Sequence, residues 1–175
     1  MFAFYRRLTD QLDPIGDALM PTLSRLTFAG VLLLYFWNSG LTKLGDGFFG
    51  FLTPRSEAYA QIFPKVFEAT GYDTSQLSVF HWAVVTGGTI SKFVLPLLIV
   101  VGLLTRLSAI AMIGFILIQS LIDLFGHRAD LGGWFNRASG ELITDQRAFW
   151  ILALLILVFK GAGPLALDRF FRNAP

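Results

Sequence analysis

Residues 84–125 hold the feature that most constrains this chain: two apolar runs separated only by Thr105-Arg106-Leu107. The second run, Leu107 to Leu121, carries no charge. A helix needs about 20 mostly apolar residues to cross a hydrocarbon core about 30 Å thick, and each run reaches that length with its edges. In hydrocarbon every backbone polar group must be bonded internally, so a break this short predicts a tight turn between antiparallel membrane helices. Composition agrees. Hydrophobic residues make up 54% of the 175 and charged ones 15%, against about 25% charged in soluble domains. The expected fold is all-α: one polytopic membrane domain over 1–175, a four-transmembrane-helix bundle with an amphipathic N-terminal segment.

Several functions are excluded early. Cysteine is absent, which removes disulfides, thiol redox, thiolate-held zinc, iron–sulfur clusters and c-type haem attachment. Net charge is only +2 despite a pI near 9.2, and there is no basic run, so nucleic acid is not an expected partner. No nucleotide-binding, nucleophile-elbow or zincin motif occurs.

In chain order, residues 1–20 place Phe4, Leu8, Leu12, Ile15 and Leu19 at helical spacing between charged residues. They are read as an amphipathic helix on the membrane surface, broken near Asp13-Pro14. The four spans are expected at about 23–44, 83–104, 107–125 and 148–162. The last is short, about 22 Å of rise, so Arg147 and Lys160 are expected to snorkel to the interfaces. Residues 45–83 form the longest loop, with Phe48, Phe49, Phe51, Tyr59, Phe63, Phe67 and Phe80 and a surface helix after Pro54. So aromatic a loop should cap the bundle or lie on the bilayer.

The face holding both termini carries Arg6, Arg7, Arg25, Arg106, Lys160, Arg169 and Arg172, crowded near span ends. The opposite face spreads Lys43, Arg55, Lys65, Arg128, Arg137 and Arg147 over longer loops. This bias places both termini in the cytoplasm. Trp37, Trp82, Trp134 and Trp150 all fall toward the other face and read as an interfacial belt.

Three motifs at span ends resemble a known family. Asn38-Ser39-Gly40-Leu41-Thr42-Lys43-Leu44 resembles the SGxxKL ending of the first span in the DoxX family. Val101-Gly102-Leu103-Leu104-Thr105-Arg106-Leu107 resembles its GLxTR turn, and Gly161-Ala162-Gly163-Pro164-Leu165-Ala166-Leu167-Asp168 its terminal GxGxxSLD. The resemblance implies a small four-helix bundle in the bacterial cytoplasmic (inner) membrane. It also implies a redox association, since some members are subunits of a thiosulfate:quinone oxidoreductase and others look like membrane partners of oxidative-stress or metal-peptide systems. One position departs. Members usually carry a glutamate in the second span, ten residues before the glycine of the turn, where this chain has Lys92. If that glutamate pairs with the family lysine, Lys43 here, this chain sets two cations where the pair would be.

Lys92 is the sharpest candidate, because a cation in mid-span costs about 2.5–3.5 kcal/mol on insertion scales and marks a functional site by default. Asn38, Ser39, Gln119, Ser120 and Asp123 lie at comparable or shallower depth from the same face and are expected to converge with it, together with Lys43, into a polar or quinone-binding pocket. Asn38 or Gln119 would hydrogen-bond Lys92, and Asp123 would supply its counter-charge. The bland alternative is that Lys92 snorkels and the amides link helices. His81 and His127, candidates for haem or a metal, are read instead as interfacial. Arg106 and Asp168 are expected to form a structural ion pair.

The leading functional expectation is an accessory membrane subunit of a redox or respiratory-type complex, with no redox centre of its own. It would scaffold membrane-protein partners or shape a lipid or quinone site. The alternatives are a quinone-facing oxidoreductase subunit, with Lys92 and Asn38 bonding the quinone carbonyls, and a small-solute or lipid transporter.

Overall fold

The computed structural model describes residues 2–47 and 49–169. Phe48 and Arg172, and the side chains of Phe4, Arg7 and Leu8, lie outside what is described. The first helix, α1 (Phe2–Phe28), passes through a π-helical turn (Ala29–Leu33) into α2 (Leu34–Leu41). Two short helices, α3 (Ser56–Ile62) and α4 (Pro64–Ala69), follow in the long loop. Next come α5 (Val79–Val101) and α6 (Thr105–Leu121), the latter extended by a π-helical turn (Ile122–Gly126). A third such turn (Leu142–Gln146) leads into α7 (Arg147–Lys160). Four stretches are long and apolar enough to cross a membrane: Thr9–Leu41, Val79–Val101, Thr105–Gly126 and Leu142–Lys160. The all-α, four-span reading is therefore correct, with shifted boundaries.

The spans close into a ring in which each packs on its chain neighbour and α7 returns to α1. At its centre lie Phe28, Leu32, Phe36, Ile99, Met112, Ile116, Leu154 and Leu157, drawn from all four spans. Ser24 Oγ donates to the Ala153 carbonyl at 2.5 Å, tying α1 to α7. Gly40, in the SGxxKL motif, has an identifiable purpose. A Cβ there would lie 2.6 Å from the Phe93 ring, so glycine lets this ring lie against α2 without shifting. A second small core, Ala58, Tyr59, Phe67 and Val85, seats the α3–α4 loop on α5, so this loop caps the bundle as its aromatic content predicts.

Four features differ from expectation. No break occurs at Asp13-Pro14, and α1 runs on through Pro14 and Pro21. Pro14 removes only the bond to the Asp10 carbonyl, and Asp10 is exposed, so water can replace it. The N-terminal segment is thus continuous with the first span, with Leu12, Ile15 and Leu19 exposed. The hairpin turn is Gly102–Leu104, and Thr105 and Arg106 already belong to α6. The fourth span gains its missing turn from Leu142–Gln146, so its 19 residues nearly match the hydrocarbon thickness and Arg147 lies inside it. Finally, two tryptophans are not belt residues. Trp37 donates to the Phe93 carbonyl at 3.2 Å, and Trp150 packs on Tyr35 and Phe36 in the bundle.

Candidate functional site

Val84, Gly88 and Lys92 recur every fourth residue of α5 and so share one face. Phe115, Ile118, Gln119 and Ile122 form the corresponding stripe on α6, and the π turn that follows presents Asp123 beside it. Between these stripes, with Gln61, Ile62 and Phe63 as a third wall, lies a cavity of about 460 Å³. Its walls are almost wholly aliphatic and aromatic, and its polar groups are Lys92, Gln119, Asp123 and Gln61. That is the usual composition of a small-molecule site, an apolar body with a few polar groups that fix orientation.

Lys92 is 6% exposed and Lys43 5%. Lys92 Nζ donates to Ser39 Oγ at 2.9 Å. Lys43 Nζ donates to the Ser39 carbonyl at 2.7 Å and to the same Oγ at 3.3 Å. Ser39 is therefore the partner of both amines, in place of the Asn38 or Gln119 expected from sequence. Adjacent helix residues point about 100° apart, so Ser39 faces α5 and Asn38 stays exposed outside the cavity. Burial lowers the Lys43 amine below its ordinary value, against a smaller opposing effect of the Lys92 side chain. Pro96 cannot donate to the carbonyl of Lys92, so α5 lacks a ladder bond at the residue that carries the cation.

Asp123 does reach the cavity, but its carboxylate is engaged by Arg147 Nη2, while Arg147 Nη1 donates to Ser120 Oγ at 2.8 Å. The structure thus gives Asp123 to a different cation from the one expected. Arg147 itself does not snorkel, being 2% exposed. The histidines are used separately. Nδ1 of His81 accepts from the Ser78 backbone N–H in a capping box at the start of α5, and Nε2 of His127 donates to the Gln61 carbonyl at 2.9 Å. No three metal-ligating side chains converge among the described residues.

The termini face holds a clasp that sequence reasoning missed. Arg25 Nε donates to the Ile99 carbonyl at 3.1 Å and Nη2 to that of Val100 at 2.6 Å. Its Nη1 donates to the carbonyls of Ala162 at 3.0 Å and Leu165 at 2.5 Å. Asp168 does not pair with Arg106. It accepts from the backbone N–H groups of Leu104 at 2.6 Å and Thr105 at 2.9 Å, capping α6 from another part of the chain, while Arg106 donates to the Phe159 carbonyl. The turn needs left-handed backbone at Gly102 (φ +71°), where a Cβ would also meet Ala166 at 2.6 Å and Arg25 at 2.9 Å. The two motifs are complementary surfaces.

Burial alone would raise the Asp168 carboxyl, but the Thr105 and Leu104 bonds and the nearby Arg25 outweigh it and hold it below its ordinary value. Its stabilisation is therefore complete above about pH 4 and fades as pH falls through the lowered folded value. Asp168→Ala should cost about 1 kcal/mol near neutrality, the usual worth of a cap. Thermal midpoints taken from neutral to acid should converge for the variant and the parent. Parallel curves would show that the cap is not ionised when it acts.

Neither a curated protein nor a solved structure matches the chain. The DoxX family model does, over residues 22–128. That range includes Arg25, both lysines, the cavity and the first two motifs; the terminal motif that clasps the turn lies beyond it. The match covers more than half of the sequence, and the chain belongs to the DoxX family, as an integral membrane protein with several spans.

Proposed function

We propose that this protein is an accessory membrane subunit of a redox-type assembly and that it shapes a quinone site in the α3–α5–α6 cavity. The observation that carries this reading is the cavity's polarity. Flat apolar walls from Phe63, Phe80 and Phe115 lead to Lys92 and Gln119 within the membrane-spanning region. A quinone head has an apolar ring and two carbonyl acceptors. An ammonium and an amide N–H are the donors that hold such acceptors as negative charge develops on them. Asn38 drops out of the carbonyl-binding role because it faces away. Residence in the bacterial cytoplasmic membrane with both termini inside completes the proposal, supported by the cations crowded at span ends on the termini face.

Lys92→Met tests it. The protein purified gently from native membrane should carry quinone and a stoichiometric redox partner, both read by mass spectrometry. The variant should retain at least tenfold less quinone and lose quinone turnover, while its partner remains bound. Unchanged quinone content would overturn the pocket reading. Absence of any protein partner from the parent preparation would overturn the subunit reading.

A further inference from the structure

We infer that Lys43 and Lys92 form an oxyanion site, taking a carboxylate or phosphate group between the two amines and the Ser39 hydroxyl. This does not rest on the quinone reading, since Ser39 and Lys43 are not cavity walls. Two ammonium groups carry six N–H donors between them. Among the described residues the structure supplies one hydroxyl, shared by both, and one backbone carbonyl. Both amines are more than nine-tenths buried, and neither forms an ion pair among the described residues. Asp123, the acid that lines the cavity with Lys92, is already committed to Arg147.

Both amines lie within 3.3 Å of the same hydroxyl oxygen, so they are close neighbours. Two like charges in a buried place repel at that range, and each also loses its hydration. An oxyanion resolves both difficulties. It brings negative charge and several lone pairs, and two ammonium groups with a hydroxyl between them match two oxygens of one group. A chloride ion offers charge without that spacing. Lys92 also stands at the polar end of the cavity. The oxyanion can therefore be a free ion or the head of a chain that lies along the apolar walls.

The experiment uses the full chain in nanodiscs of zwitterionic lipid, with thermal unfolding followed by tryptophan fluorescence at constant ionic strength. Acetate, inorganic phosphate and dodecanoate are each exchanged against chloride. A saturating oxyanion should raise the midpoint by about 5 °C over chloride. A rise with acetate or phosphate identifies a free anion, and one with dodecanoate alone identifies a chained acid using the cavity; both support the site. Lys43→Met and Lys92→Met should each lose the rise. Each removes one of two repelling charges, so the variants should melt no lower than the parent in chloride, which reports that they fold. No rise with any oxyanion, or the same rise in the folded variants, overturns the proposal. Lys43→Met also separates the two readings, because it should lose the anion response and keep quinone retention.

Discussion

Arg25→Met should remove about 3–5 kcal/mol of stability, the cost of stripping a buried charged group from the partners built around it. The four carbonyls that Arg25 satisfies have few other options. Ile99 and Val100 lie in the last turn of α5; the Ile99 carbonyl also accepts from the Gly102 N–H at 3.2 Å, whereas that of Val100 lies past the last ladder donor. Ala162 and Leu165 belong to the irregular chain after α7. A single guanidinium joins the first span, the second span and the terminal motif because its donors are held in a rigid planar fork. Lysine keeps the charge but not the fork, so Arg25→Lys should fall between, at about 1–3 kcal/mol. Reversible unfolding in mixed micelles measures both. A loss under 1 kcal/mol for the methionine variant would show that lipid headgroups or water satisfy these carbonyls equally well.

The sequence made span number and the α5–α6 hairpin legible because both follow from hydropathy and length, which are local quantities. It also pointed to Lys92, since a cation among apolar residues is conspicuous wherever it faces. Partner choice was not legible. Asn38 and Ser39 are neighbours of similar polarity, and only the rotation of α2 against α5, set by the contact of Gly40 with Phe93, decides which one meets Lys92. Arg25 and Arg147 look in sequence like interfacial cations, as span-end arginines usually are. Their signals were the end of α5 at Ile99 and Val100, just before the GLLTR turn, for one and the pair Ser120 and Asp123, three residues apart at the end of the third span, for the other. Each signal becomes visible only once facing spans are aligned. Helix ends moved for a related reason. The α6 cap comes from Asp168, more than sixty residues later, so no local window contains it.

Arg147→Met should be comparably damaging, at about 3–5 kcal/mol, because it leaves the Asp123 carboxylate without its cation. The pair is asymmetric, with Arg147 at 2% and Asp123 at 20% side-chain exposure. Asp123→Asn should therefore cost less, since the amide oxygen still accepts from Arg147 and solvent reaches that side. Replacing both, as Asp123→Leu with Arg147→Met, should recover most of the loss, as apolar groups of similar volume often do where a buried ion pair stood. The double-mutant cycle would then give a coupling energy of about 1–3 kcal/mol. The single variant has a second consequence. Asp123 shares the cavity with Lys92, and once Arg147 is gone Lys92 is the cation left for it there. Its carboxylate would then compete for the ammonium with any quinone oxygen or bound oxyanion. Arg147→Met should accordingly lose ligand binding at Lys92 even in the fraction that stays folded, and the double variant, which has no carboxylate, should regain it. Recovery of stability without recovery of binding would show that Arg147 shapes the cavity by packing alone. Recovery of both would show that its ion pair keeps Lys92 free.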